Sequence, residues 1–394
     1  MTSFDSSPTL TVWRTLLALA VVFVMLATTG WTAVHHQRTA GPRQAALTAW
    51  GKGSLAGHPL PPTSASPYRL ARFFAGLTAA ERSRLADRYP LVVGNLNGAP
   101  VTLRYQANQD ALRQARTSER QRLTDPSLSE LGHQDARRTY DRYTALLQPG
   151  RQILAFDPTG TGRVAEVIGD LPRARHISIV VPGVDTNLLT FQKSKNPYTA
   201  PVGMATSLYA AEHSAAPGSR TAVIAWADYT TPVGLGVDAA IGRLAAEGSL
   251  RLHALVDALP GDAPVALFCH SYGSVLCGVA AHDLPPRVTD IAVAGSPGMR
   301  VENAGQLDTD ARVWAMRDSD DWIQDVPHLD VGGLGHGADP VAPQFGARIV
   351  SAGQAHGHTG YFAPGTESLR NFAAVGTGEF DAVSCANGSD TCHS

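Results

Sequence analysis

Short apolar runs recur through the second half of the chain, at 152–156, 163–168, 176–181, 222–226, 264–269, 290–294, 312–316 and 347–351. Gly, Pro and Asp separate them. Runs this apolar suit strands covered on both faces of a sheet. Between several of them lie helical patterns, clearest at 204–213, 237–258 and 272–282. Alternation of strand and helix predicts an α/β domain with a largely parallel sheet of eight strands. The first two strands are close enough in sequence to pair as a hairpin.

The first half has a different texture. Residues 15–34 carry no formal charge and centre on Leu16-Leu17-Ala18-Leu19-Ala20-Val21-Val22-Phe23-Val24-Met25-Leu26-Ala27. As a helix this run would rise about 30 Å, enough to cross a bilayer. It is expected to be a membrane anchor, or else a secretory signal removed by cleavage. A tail, 1–14, precedes it. Residues 35–66, with Gly51, Gly53, Gly57 and His58-Pro59-Leu60-Pro61-Pro62, have a linker composition. Residues 67–150 are expected to be helical. Thr78-Ala79-Ala80-Glu81 is a capping box, and the helix it opens must end near Pro90. Residues 104–148 read as amphipathic helices packed on something larger. The α/β domain would span 151–380, followed by a cysteine-containing tail, 381–394.

Charge narrows the function classes. The 394-residue chain carries 32 basic and 34 acidic residues, a formal net charge of −2. No bulk positive field is available to hold nucleic acid. Arg residues do cluster over 104–148, but acids interleave with them, which predicts a solvated face. The four cysteines fall into two pairs. Cys269 and Cys277 are expected to be buried thiols. Cys385 and Cys392 could close a small loop as a disulfide, which would persist outside the cytosol. The α/β domain is therefore expected to be extracytoplasmic, membrane-anchored or secreted.

The candidate chemistry centres on Cys269-His270-Ser271-Tyr272-Gly273, between the fifth strand and a helix. A serine there sits either as a helix N-cap or as a nucleophile on a sharp turn. The pattern resembles G-x-S-x-G, with Cys269 in place of the first Gly. A serine hydroxyl needs a His to take its proton and a carboxylate to orient that His. Acids follow the seventh strand at Asp318, Asp320 and Asp321; histidines follow the eighth at His356 and His358. Both groups fall at the same sheet edge as Ser271. Asp321 is favoured because the apolar pair Trp322-Ile323 could anchor its turn. The third strand ends Val181-Pro182-Gly183-Val184, which would place the Val184 N–H beside the Tyr272 N–H as an oxyanion hole.

Taken together, these motifs resemble an actinobacterial α/β-hydrolase family long catalogued as a domain of unknown function. The likeness runs over about residues 70–380. It rests on Val93-Gly94-Asn95-Leu96-Asn97-Gly98, Val181-Pro182-Gly183, His270-Ser271-Tyr272-Gly273-Ser274, Gly295-Ser296-Pro297-Gly298, Leu334-Gly335-His336-Gly337 and Gly365-Thr366-Glu367-Ser368. It implies the α/β-hydrolase fold and a hydrolase. It further implies Asp321 as the acid and His358 as the base.

The resulting expectation is a serine hydrolase, an esterase or related acyl hydrolase, with catalytic Ser271, Asp321 and His358. Its substrate would be a small-molecule or lipid-like acyl compound. No cofactor is expected. The alternative is a surface-anchored binding module that keeps the fold without the chemistry. His328, Asp330, His336 and Asp339 lie close in sequence but lack metal-ligand spacing, so no metal is expected. The short stretch 295–311 leaves no room for a lid after the sixth strand. Segment 67–150 is the expected cover for the site, with 185–199 as a further wall.

Overall fold

The computed structural model describes residues 41–386 and 392–393. The tail 1–14 and the apolar run 15–34, with the anchor or signal assigned to it, lie outside the described residues. Among the described residues, no helix is long and apolar enough to cross a membrane.

One eight-stranded sheet organises the molecule. Its strands are β1 (Gln152–Asp157), β2 (Arg163–Gly169), β3 (His176–Val181), β4 (Thr221–Ala227), β5 (Val265–His270), β6 (Val288–Ala294), β7 (Arg312–Met316) and β8 (Arg348–Ile349). They lie in the order β8-β7-β6-β5-β3-β4-β2-β1. From β4 to β8 every neighbouring pair is parallel, whereas β2 runs antiparallel to both β1 and β4. The largely parallel sheet is the one expected from the alternation of strands and helices, and its order is the α/β-hydrolase arrangement that the resemblance implies. β3, β4 and β5 are buried almost throughout. The reason is that helices cover both faces, so no alternation of polar and apolar positions survives.

Among the described residues, six α-helices precede the sheet: α1 (Pro42–Gly51), α2 (Pro67–Ala75), α3 (Ala79–Arg88), α4 (Pro90–Val93), α5 (Val101–Arg122) and α6 (Glu130–Leu146). The capping box forms, with Thr78 N donating to Glu81 Oε2 at 2.9 Å and Glu81 N to Thr78 Oγ1 at 3.3 Å. α3 stops at Arg88, before Pro90, as a proline demands. The stretch with a linker composition is structured from residue 42 onward. Trp50 is buried among Leu70, Phe74, Leu85 and Val93, and its indole donates to Pro61 O at 2.7 Å. This helical layer docks on the edge strand β1. The Asn95 amide both donates to Phe156 O (2.8 Å) and accepts from Phe156 N (3.0 Å), imitating a ninth strand. Asn108 adds a bond to Ile153 O at 2.9 Å. The exposed sheet edge is thereby closed against further pairing.

Five helices follow: α7 (Pro201–Ala215), α8 (Val237–Ala240), α9 (Arg243–Asp257), α10 (Tyr272–Ala280) and α11 (Glu367–Thr377). The expected helix 237–258 is broken in two. Ile241 is extended and forms an antiparallel bridge with Leu334, and the Tyr272 hydroxyl donates to Ile241 O at 2.9 Å. These tertiary contacts outweigh local helix preference there.

A buried carboxyl lies behind the sheet. Glu212 of α7 is fully buried and bonded to the Ser178 hydroxyl of β3. Burial pushes its pKa from the ordinary 4.5 up to about 8, against hydrogen bonds from Ser178 and Thr221. The folded chain thus keeps a proton that the unfolded chain has lost. Stability should fall as pH rises through that interval. Glu212→Gln keeps the shape and the polar contacts but cannot ionise. Urea unfolding is expected to show little difference from the parent near pH 5. At pH 8.5 the variant should be more stable by a few kcal/mol. A parent-like pH slope in Glu212→Gln would refute this assignment.

Candidate active site

Ser271 stands on the turn between β5 and α10 with φ 55° and ψ −128°. A non-glycine residue rarely holds that conformation, and such strain concentrates at functional turns. The turn is enforced by crowding. A Cβ on Gly273 would fall 2.2 Å from Val181 O, and one on Gly183 would fall 2.6 Å from Ser271 Cβ. Gly183 is therefore required by close approach. The positive φ in the β3 loop belongs to Asp185, at 56°. Asp185 N donates to Pro232 O, and its carboxylate accepts from Gly234 N, both at 2.8 Å. The loop after β3 is thus fastened to the loop after β4.

Cys269 and Cys277 form a disulfide, which corrects the expectation of free thiols. The sharp turn folds the start of α10 back beside the end of β5, leaving their Cα atoms 6.5 Å apart. That is within disulfide reach. The sulfur pair occupies the position where the family pattern has Gly, and it staples the serine turn from below. Cys385 and Cys392 are bridged as well.

The structure brings together all three residues named from sequence. His358 Nε2 lies 2.8 Å from Ser271 Oγ, and its Nδ1 lies 2.8 Å from Asp321 Oδ1. Each comes from the carboxyl end of a parallel strand, where open α/β sheets gather their ligands. His358 sits in a 3₁₀ helix, Gly357–Phe362. With three residues per turn, Tyr361 eclipses it. Both side chains consequently reach one carboxylate: the Tyr361 hydroxyl donates to Asp321 Oδ2 at 2.5 Å. Ile323 N donates to Asp321 Oδ1 at 2.9 Å. Burial raises the Asp321 pKa, but the bonds from His358, Tyr361 and Ile323 outweigh it and hold the carboxyl below its ordinary value. It is ionised throughout the neutral range.

Sequence reasoning missed several supports. His270 donates from Nε2 to His358 O at 2.5 Å. Burial, with the neighbouring His358 ring adding, pushes its pKa down to about 3, so it stays neutral. Asp318 and Asp320 both accept from Gly357 N, at 2.8 and 2.7 Å, and so brace the loop that carries His358. The pair Trp322-Ile323 was expected to anchor the turn, and Trp322 does not share that role. Its buried neighbour Ile323 anchors the turn, while the Trp322 ring lies against the His358 ring with centroids 4.6 Å apart. The spacing of Tyr361 three residues after His358 was the one signal available for any of these.

Val184 and Tyr272, expected as oxyanion donors, both line a cavity of about 340 Å³ that opens on Ser271. Their backbone N–H groups make no backbone hydrogen bond among the described residues. The cavity walls come from segments 235–240 and 322–336, together with Pro297. Neither 67–150 nor 185–199 contributes, which corrects both expectations about the cover. The helical layer is committed to the β1 edge instead, away from the turn after β5. His328 Nε2 approaches Asp339 Oδ1 at 3.7 Å, but the four residues His328, Asp330, His336 and Asp339 do not form one ligand cluster. Asp330 pairs with Arg300, Asp339 with Arg317, and His336 bonds to Ala239 O at 2.6 Å.

Comparison with known proteins agrees with this architecture. Residues 157–331 match a family model described as alpha/beta hydrolase. That span includes Ser271 and Asp321 and ends before His358. Two uncharacterized proteins of Mycobacterium tuberculosis, from strains CDC 1551 / Oshkosh and ATCC 25618 / H37Rv, are 28% identical over 382 aligned positions. The alignment covers 82% of this chain, but the chain spans only 57% of those relatives' length. Among solved structures, a dienelactone hydrolase from Anabaena variabilis is 17% identical, with a TM-score of 0.35 over 60% of this chain and 99% of that one. A predicted CIB-like hydrolase from Thermoplasma acidophilum is 15% identical, with a TM-score of 0.33 over 59% and 97%. Residues 157–331 thus match an α/β-hydrolase family model, in keeping with the resemblance that the motifs carry.

Proposed function

We propose that this protein is a serine esterase working through an acyl-enzyme on Ser271. The observation that carries the reading is the unbroken chain of hydrogen bonds from Ser271 Oγ through both nitrogens of His358 to Asp321. In the first half-reaction His358 Nε2 takes the hydroxyl proton as Ser271 Oγ attacks the ester carbonyl carbon. The carbonyl oxygen becomes an oxyanion, stabilised by the Val184 and Tyr272 N–H groups. Asp321 fixes the imidazole tautomer and stabilises its cation. Collapse of the tetrahedral intermediate breaks the ester C–O bond, and the departing alcohol takes the proton from His358. Water then enters, loses a proton to the same nitrogen and releases the acid, restoring Ser271.

Two disulfides support an extracytoplasmic site of action, since such bridges persist in oxidising compartments. The apolar run 15–34 supports attachment of the domain to a membrane, or its export by that segment.

A fluorophosphonate probe tests the nucleophile. It should add covalently to Ser271, with the adduct located by mass spectrometry. Labelling should be lost in Ser271→Ala and fall sharply in His358→Ala. Hydrolysis of p-nitrophenyl acetate should drop by about 10⁴-fold or more in Ser271→Ala. Undiminished turnover in that variant would overturn the mechanism. A folded protein that neither labels nor turns over would favour the binding-module alternative.

A further inference from the structure

The cavity beside Ser271 has a direction. In the mechanism proposed above, the leaving alcohol must receive its proton from His358, so it departs on the His358 side. The cavity is lined by Ser271 and by the oxyanion residues Val184 and Tyr272, but not by His358. The Trp322 ring, packed against His358, forms the wall between them. The space therefore holds the acyl part of the substrate.

Its lining has one chemical character. Besides Ser271 and Tyr272, the polar side-chain atoms among its described lining residues are the Trp322 indole N–H and the ring of His336, whose pKa is lowered by burial and whose Nε2 is bonded to Ala239 O. No charged side chain lines it. An acyl group bearing a carboxylate, an ammonium or several hydroxyls would lose its hydration there without replacement. The volume of about 340 Å³ falls within the roughly 300–1,000 Å³ common for small-molecule sites.

The apolar surface continues outside. Nine large hydrophobic side chains are exposed among the described residues, and five of them lie on the wall segments 235–240 and 322–336, with a sixth, Val233, two residues before the first. These are Val233, Leu235, Val237, Trp322, Leu329 and Leu334. Leu235 is 69% exposed and Leu334 is 55% exposed, yet both also line the cavity. Scattered exposure needs no explanation, but a concentrated patch around a site does. The two segments are fixed together by the Ile241–Leu334 bridge, and Arg300 donates to Gly335 O at 2.7 Å.

We infer that the acyl group delivered to Ser271 is a hydrocarbon chain, seated in this cavity and running out between Leu235 and Leu334. The assignment rests on Ser271 being the nucleophile. The two readings fail separately when the full chain is treated with fluorophosphonates bearing ethyl, octyl or dodecyl groups. In each case the Ser271 Oγ–P bond forms as fluoride leaves and His358 takes the proton. Octyl should inactivate at least about 30-fold faster than ethyl, because methylenes transfer from water to an apolar wall. Leu235→Asp combined with Leu334→Asp should lower the octyl-to-ethyl ratio at least about fivefold. Leu131→Asp, an equally exposed change on α6, should leave the ratio unaltered. Equal rates across the series, or a ratio insensitive to the mouth substitutions, would overturn the hydrocarbon assignment alone. Failure of every chain length to label Ser271 would overturn the nucleophile reading, and this one with it.

Discussion

Asp321→Asn should lower kcat for ester hydrolysis by about 10⁴-fold while leaving the protein folded. The carboxylate is buried and accepts from three directions: His358 Nδ1, the Tyr361 hydroxyl and Ile323 N. An amide of the same shape has one acceptor oxygen: placed at the Oδ2 position it keeps the Tyr361 bond, and its NH₂ takes the Oδ1 position that Ile323 N and His358 Nδ1 share. What then faces His358 is an NH₂ group, which requires Nδ1 to accept. That forces the ring proton onto Nε2, where the nitrogen donates toward Ser271 and cannot take its proton. The base is lost without any gross change of geometry. A carboxylate held below its ordinary pKa contributes stability that is present at neutral pH. That contribution is lost only as pH falls through the depressed value. Wild type and variant should therefore differ in stability at pH 7 and converge in strong acid. Steady-state kinetics beside thermal unfolding would check both limbs. Retention of activity within tenfold would mean that Asp321 does not orient the base.

The expected sheet and the observed one differ mainly at strand ends. β3 and β7 fall on the expected 176–181 and 312–316 without adjustment. These runs are interior strands, buried on both faces, so hydrophobicity alone marks them. β8 shrinks from the expected 347–351 to Arg348–Ile349. It is an edge strand paired only with β7, and half-burial leaves a weaker pattern. The cluster of Ser271, His358 and Asp321 was legible for a related reason. Chain order and strand-end position restrict the choice to a few acids and histidines, and family motifs select among them.

What sequence could not reach was contact between distant segments. The His270 bond to His358 O joins residues 88 apart, and the Tyr361 bond to Asp321 joins residues 40 apart. Neither pairing leaves a local periodicity. The Cys269–Cys277 bridge failed to register for a different reason. A strand and helix eight residues apart would normally carry two cysteines away from each other, and only the forced turn at Ser271 brings them together. The cover over the site was misplaced because helical texture was equated with a lid. Asn95 and Asn108 instead commit that layer to capping β1. The apolar mouth arises from a broken helix and a two-residue hairpin, Asp330–Val331 with Leu334–Gly335, elements too short for pattern reading.

Gly273→Ala is expected to damage stability and catalysis together. The added Cβ would lie 2.2 Å from Val181 O and 2.9 Å from Pro182 O, both backbone atoms at the end of β3. Flexible side chains can yield to such a contact, but a central strand cannot. The alternative is for the first turn of α10 to back away from β3. The Cys269–Cys277 bridge resists that movement from the far side, because it ties the same helix to β5. Overpacking against fixed backbone typically costs about 1–3 kcal/mol, and this site should fall at the upper end or beyond. The displacement that relieves the clash separates the Tyr272 N–H from the Val184 N–H. If those two donors form the oxyanion hole, kcat should fall by about 10²–10³-fold in the molecules that remain folded. Fluorophosphonate titration of folded sites, combined with urea unfolding, separates the two effects. A stable variant with parent-like kcat would show that α10 can shift without loss, and that these two amides are not the oxyanion donors.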